Sequence, residues 1–412
     1  MRGRVGQALA GVAVLQERRF RLFWLARTAS AAGSALIPVA LPFAVLSVGG
    51  GVRELGYVLA AFILSSALLA LAGGVWADRL PRRLVMIGCD VVSCGVEGLT
   101  AVALAAGVMT WWMFVISAVL FGGATAFFSA SSTGFVPAIV KVEDLHRANA
   151  LVGLSRSATE ILGPAVSGIV VASAGPAWVF ALDAATFAAS AAFLLTLGLW
   201  ESTQPVRQRF LADLAEGWRD VRSRSWLSIS IAAYAILNLG LAPFLVLGPI
   251  IAERDLGGAS AWGLIATGGA VGGTVGAVLG YRVRPRRPLV ACFAVGLLAT
   301  LPPLALLPPL PALAVAGANA AFDLGLAFGS VVWVTALQRE IPADRISRVS
   351  SFDWAVSLLF LPLGLALAGP TAGAIGIKAT LLAAVALIVT AGVGALLTRP
   401  VRTLSADRLE PS

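Results

Sequence analysis

Charge is what this chain has least of. Asp, Glu, Lys and Arg make up 12% of 412 residues, hydrophobic residues make up 58%, and the mean hydropathy is +0.90. A soluble domain needs more charge than that to cover its surface. Cysteine is scarce too. Cys89, Cys94 and Cys292 stand in apolar stretches without zinc or redox spacing and read as packing residues. The single histidine, His146, has no metal-ligand partners around it. No G-x-x-x-x-G-K-[ST] loop is present, which argues against direct ATP drive. No nucleophile–base or metal-ligand cluster stands out, so neither an enzyme nor a bound metal or cofactor is expected.

Long apolar runs are what the chain does have. Runs of about 20 residues are the membrane-span signal. They fall near 20–47, 55–77, 83–106, 111–135, 148–174, 176–199, 226–250, 261–281, 288–309, 311–336, 345–369 and 373–398. The expected fold class is therefore an all-α membrane protein with twelve transmembrane helices. Residues 1–19 are too basic for a cleavable signal peptide, and the first span continues into the bundle.

The net charge of +9 is distributed by topology. With the N-terminus inside, only Arg53, Arg254 and Lys378 of the 30 basic residues fall on the outer side. That bias puts both termini in the cytoplasm of a cell with the chain in its cytoplasmic membrane. The remaining basic charge is attraction to anionic lipid headgroups, with no need of nucleic acid.

The longest internal hydrophilic stretch, near 200–225, separates six spans from six and carries Phe210, Leu211, Leu214, Trp218 and Val221 at helical spacing among arginines. It reads as an amphipathic helix on the inner membrane surface or as a charged tether. The domain reading is a bundle over 1–199, this linker, a second bundle over 226–398 and a tail from 399. Pro81-Arg82-Arg83 recurs as Pro285-Arg286-Arg287, each between the second and third spans of its half. Gly268-Gly269, Gly272-Gly273, Gly276 and Gly280 put a smooth face on the eighth span, where a neighbouring backbone can approach closely.

The hairpin after the second span reads Gly74-Val75-Trp76-Ala77-Asp78-Arg79-Leu80-Pro81-Arg82-Arg83. Its G-x-x-x-D-R-x-x-R-R spacing resembles the loop between helices 2 and 3 of the major facilitator superfamily, with Pro81 where that family usually has Gly. In the fifth span Gly163-Pro164-Ala165-Val166-Ser167-Gly168 resembles the G-P-x-x-G-G signature of drug–proton antiporters, with Ser167 in place of the first closing Gly. A mid-helix Pro frees a carbonyl and permits a kink. Phe20-Arg21-Leu22-Phe23-Trp24 and the stretch from Gln338 to Ser351 resemble the bacterial exporter branch for macrolides, siderophores and mixed drugs. The resemblance implies two pseudo-symmetric six-helix bundles with a substrate cavity near the midplane. It also implies a gating role for Gly74, Asp78, Arg79, Arg82 and Arg83. Asp78 would meet the start of the eleventh span when the inner ends close.

Ionised groups inside spans are costly and therefore functional suspects. Asp323 lies mid-span with Asn319 one turn away. Arg156 and Glu160 are four apart and form either a static buried pair or one that breaks during transport. Asp90 and Glu97 share a face of the third span. Asp183 and Asp353 either act or only hydrogen-bond their neighbours. For proton coupling the order of candidates is Asp323, Glu160 with Arg156, then Glu97. The expected cavity lining is Thr125, Phe127, Phe128 and Ser129 from one half. From the other it is Tyr234, Asn238, Asn319, Phe322 and Trp354. Such a mixture suits amphipathic organic molecules better than sugars. The reading is a monomeric secondary transporter that exports a hydrophobic or amphipathic small molecule in exchange for protons. Uptake or facilitated diffusion is the rival within transport, and a non-transporting receptor or assembly subunit the rival outside it.

Overall fold

The computed structural model describes residues 14–77, 81–133, 135–197, 218–342 and 345–404. Among these residues all regular structure is helical. Lipid offers the backbone no hydrogen bonds, so an apolar run in a membrane must satisfy its own N–H and C=O groups as a helix. The long helices are α1 (Arg18–Ser47), α2 (Val52–Ala77), α3 (Arg82–Ala105), α4 (Trp111–Thr133), α5 (Leu145–Ala174) and α6 (Pro176–Leu195). They continue as α7 (Ser225–Ile251), α8 (Ala259–Arg282), α9 (Pro288–Ala305), α10 (Ala312–Glu340), α11 (Ile346–Ile375) and α12 (Ile377–Leu397). Among the described residues eleven are long and apolar enough to cross a membrane, and α11 adds a shorter apolar stretch, Leu359–Ile375.

The chain divides into two compact units. Unit 1 is Met1–Val48 with Leu64–Gln208, and unit 2 is Gly49–Ile63 with Arg209–Ser412. The first half of α2 thus packs in unit 2. A Cβ on Gly56 would collide with the Leu365 carbonyl, and one on Gly369 with the Arg53 backbone, so α2 and α11 touch main chain to main chain.

In unit 1, α3 packs on α6, and α1 packs on α5 and α6. α1 is broken into Arg18–Ser34 and Ile37–Ser47. The α5 signature sits against that break. A Cβ on Gly163 would collide with the Ala35 backbone, and Ser167 Oγ donates to the Leu36 carbonyl at 2.7 Å. Gly168 is buried and α5 runs through Pro164 as one helix. Arg83 is buried and donates to Leu194 O at 2.8 Å and Leu195 O at 2.7 Å, closing the C-terminal end of α6, where a cation is favoured.

In unit 2, α8 packs on α10 through the glycine stripe. Gly268, Gly272 and Gly276 face the carbonyls of Ala316, Ala320 and Leu324, and Gly280 faces that of Phe328. Matching four-residue steps on both helices bring the backbones together along their length. The described end of the linker is helical at 218–222 and docks on this unit. Trp218 lies 5.3 Å from Phe352, Val221 joins the core and Asp220 pairs with Arg345 at 3.1 Å. Gly175 and Gly376 adopt φ of 89° and 86° at the α5–α6 and α11–α12 turns. One glycine in a conformation closed to other residues reverses the chain at each place.

Candidate functional site

Each unit encloses a cavity of its own. In unit 1 about 420 Å³ opens among α1, α3, α4 and α5, lined by Trp24, Arg27, Asp90, Phe128, Arg156 and Glu160. Thr125 and Ser129 also line it, whereas Phe127 lines neither this cavity nor the one in unit 2. Trp24 Nε1–H donates to Ser155 Oγ at 2.9 Å. Arg156 Nε donates to Glu160 Oε1 at 2.7 Å. The expected pair forms, but 70% and 52% of the two side chains are exposed, so it is an open pair rather than a buried one. Such a pair can break and remake at small cost.

Arg27 is the residue sequence reasoning passed over, having counted it with the N-terminal arginines as a topology signal. It stands nine residues past the start of α1, roughly 13 Å along the axis at about 1.5 Å per residue. That depth was the available clue. Its guanidinium lies 5.2 Å over the Phe128 ring and within electrostatic reach of Asp90 and Arg156. Among the described residues it forms no ion pair.

A polar seam runs between α3 and α6. Ser190 Oγ donates to Asp90 Oδ2 at 2.6 Å. Farther along, Glu97 (3% exposed) and Asp183 (fully buried) interact electrostatically. Thr186 Oγ1 donates to Asp183 O at 2.7 Å, and Asp183 also presses on Gly33 of α1. One carboxyl oxygen of each of Asp90, Glu97 and Asp183 has no hydrogen-bond partner. Buried carboxyl oxygens without partners are expensive to keep ionised.

In unit 2 a cavity of about 470 Å³ is lined by Tyr234, Asn238, Phe322, Trp333, Asp353 and aliphatic residues of α7, α9, α10 and α11. Tyr234 stacks on Phe293 at 5.2 Å and meets Trp333 edge-on at 5.3 Å. Trp333 Nε1–H donates to Asp353 Oδ2 at 2.9 Å. Asn319 and Asp323 do not line this cavity. Both press on Gly269 of α8, and Asn319 Nδ2–H donates to Ile265 O at 3.1 Å. Asp78, Arg79 and the Trp354 side chain lie outside the described residues, and Gly74 falls near the end of α2. Among the described residues no cluster of His, Cys, Asp and Glu could hold a metal ion.

The profile described as Major Facilitator Superfamily matches residues 23–359. The chain belongs to the major facilitator superfamily. Its major facilitator relatives include the multidrug efflux pump Tap of Mycobacterium tuberculosis (strain ATCC 25618 / H37Rv), 29% identical over 93% of this chain and 94% of that protein. Macrolide efflux protein A of Streptococcus pyogenes is 24% identical over 87% and 91%, respectively. The enterobactin exporter EntS of Salmonella typhi is 27% identical over 85% and 84%. Among solved structures, the nucleoside transporter NupG aligns with TM-score 0.72 at 11% identity, over 92% of this chain and 98% of that one. A bacterial homologue of the iron transporter ferroportin gives the same TM-score at 17% identity. These two likenesses concern the fold alone. As a major facilitator protein the chain is a multi-pass membrane transporter.

Proposed function

We propose that this major facilitator protein exports hydrophobic or amphipathic small molecules across the cytoplasmic membrane, as a monomer with both termini inside, by proton antiport and alternating access. The observation that carries the reading is the unit 2 cavity. Its aromatic and aliphatic walls and few polar groups suit a large apolar ligand with one or two hydrogen-bonding points. The three relatives named above, which match along most of the chain, are an efflux pump, an efflux protein and an exporter. The inside position of the termini is supported by the bias of basic residues.

For coupling, the candidates are Asp323 in unit 2 and Glu97 in unit 1, with Glu160 and its partner Arg156 as a third. A half-buried place against Gly269 of α8 supports Asp323. A neighbouring carboxyl and an oxygen lacking a partner support Glu97. Asp78 and Arg79 are proposed as gate residues on the strength of the hairpin motif. The test is transport in inside-out vesicles energised by an imposed proton gradient, with a fluorescent amphipathic cation, a neutral macrolide and an aromatic acid as probes. Uptake that collapses with the gradient is expected for at least one. Movement only down the probe's own gradient would favour facilitated diffusion, and no movement would favour a receptor.

A further inference from the structure

The two halves of the chain use the same tripeptide in different ways, and the difference leaves a group of arginines with nothing to hold. In unit 1 the Arg of Pro81-Arg82-Arg83 that closes the third-helix start, Arg83, is buried on the last carbonyls of α6. The repeat would give the corresponding carbonyls of α12 to Arg287. One of them is taken instead by a residue from beyond α12: Arg402, on the short helix Arg399–Thr403, donates from Nε to Leu396 O at 2.7 Å. Arg287 is exposed, as are Arg282, Arg284 and Arg286 of the same turn and Arg339 at the end of α10. Among the described residues none of these five forms an ion pair. None of their side chains makes a hydrogen bond there either.

Two of these arginines, Arg284 and Arg339, line a pocket of about 270 Å³ between the ends of α8 and α10 and the start of α9. Its lining includes Tyr281, Arg284, Pro288, Thr335, Arg339 and a single carboxylate, Glu340. Helix C-termini account for a cation at Arg282 and at Arg339, and the inside bias for further arginines in the turn, but neither accounts for a pocket lined by two of them. The surroundings are apolar and open. Tyr281 is 84% exposed, and Val278, Val283 and Val334 on the same elements are exposed as well. A tyrosine with a polar tip and an apolar body sits well at headgroup level. The pocket therefore opens at the margin between a lipid-facing surface and a basic turn.

We propose that this pocket binds the phosphodiester headgroup of an anionic phospholipid. Arg284 and Arg339 hold the phosphate oxygens through their planar donor forks, and the other arginines of the turn supply field. Guanidinium and phosphate match in charge and in bidentate geometry. Basic pockets between membrane helices near the cytoplasmic surface are suited to such headgroups. The exposed apolar rim favours a lipid over a soluble phosphate compound, because it gives the glycerol and acyl chains a surface to lie on. Glu340 sets a limit, since it repels a doubly charged phosphate more than a singly charged diester.

The full-length protein, purified in a mild detergent, would be offered equimolar phosphatidylglycerol and phosphatidylcholine, and the retained lipid measured by native mass spectrometry. Wild type should retain phosphatidylglycerol preferentially. The Arg284→Gln, Arg339→Gln double variant should lose that preference by about tenfold, whereas Arg254→Gln should keep it. An unchanged preference in the double variant overturns the proposal. Thermal unfolding of wild type with added inorganic phosphate separates the sources. Protection by phosphatidylglycerol but not by phosphate is expected, and equal protection overturns a lipid site. If the double variant does not fold, Arg284→Lys with Arg339→Lys replaces it. That pair should show weakened but measurable preference, and full wild-type preference in it overturns the assignment to the guanidinium forks.

Discussion

Ser167 on α5 donates a 2.7 Å hydrogen bond to the main-chain carbonyl of Leu36, at the point where α1 passes from one helical segment to the next. One turn earlier, Gly163 leaves room for the backbone of Ala35. The two contacts explain why the signature in α5 tolerates Ser in place of Gly. The hydroxyl adds a donor to a carbonyl that already accepts the N–H groups of Val39 and Ala40 at the start of the second segment. The same kind of contact recurs in unit 2, where a Cβ on Gly364 of α11 would meet Leu239 O and Ala242 of α7.

Gly163→Val should prevent α1 and α5 from closing, because the colliding partner is backbone and cannot turn away. The expected result is loss of monodisperse protein on size exclusion. Ser167→Ala removes only the hydrogen bond and should cost about 1 kcal/mol, read as a small drop in thermal midpoint. A Gly163→Val protein with a wild-type midpoint would show that the helices are not in contact here.

The two copies of the Pro-Arg-Arg turn should respond differently. Arg83→Gln strips two donors from the end of α6, one of them on the carbonyl of the buried Leu194, a loss of about 1–3 kcal/mol. Arg287→Gln should leave the unfolding midpoint in lipid-free detergent unchanged, since the α12 carbonyl is held by Arg402. Equal effects of the two substitutions would contradict this division of labour.

Neutralising a true proton carrier uncouples transport without abolishing substrate movement. Glu97→Gln and Asp323→Asn should each stop gradient-driven accumulation while leaving substrate–substrate exchange in proteoliposomes. In both variants the pH dependence of exchange should flatten. A variant that accumulates substrate at the wild-type rate with the wild-type pH profile removes that residue from the coupling path. Asp183→Asn then decides whether the α3–α6 seam acts as a pair: it should uncouple as Glu97→Gln does, and an Asp183→Asn protein with wild-type accumulation and pH profile would show that Glu97 acts without it.

Much of the fold could be read from residues alone. Each span announces itself by length and lack of charge, and the glycines of α8 foretold a close neighbour through their four-residue spacing. Less of the site was legible. Arg27 resembled the other N-terminal arginines until its depth in α1 and its place over Phe128 were known. Trp333 and Asp353, twenty residues apart, gave no sign of sharing a cavity wall. Asp323 and Phe322 are adjacent in sequence, yet Phe322 faces the unit 2 cavity while Asp323 lies against α8.

The sequence by itself determined the class, the span count and the basic bias, because each follows from the free energy of placing apolar and charged groups in or beside lipid. Which face of each helix turns inward was decided only by the tertiary structure. In a soluble helix the apolar stripe marks the core, but in a membrane the lipid side is equally apolar and the stripe is muted. Only the packing of α3 on α6 brought Glu97 to Asp183, and only the chain beyond α12 released the arginines of the α8–α9 turn. The first is a partnership between segments far apart in sequence, and the second depends on a short helix turning back on the end of α12, so no local pattern of apolar and charged residues encodes either.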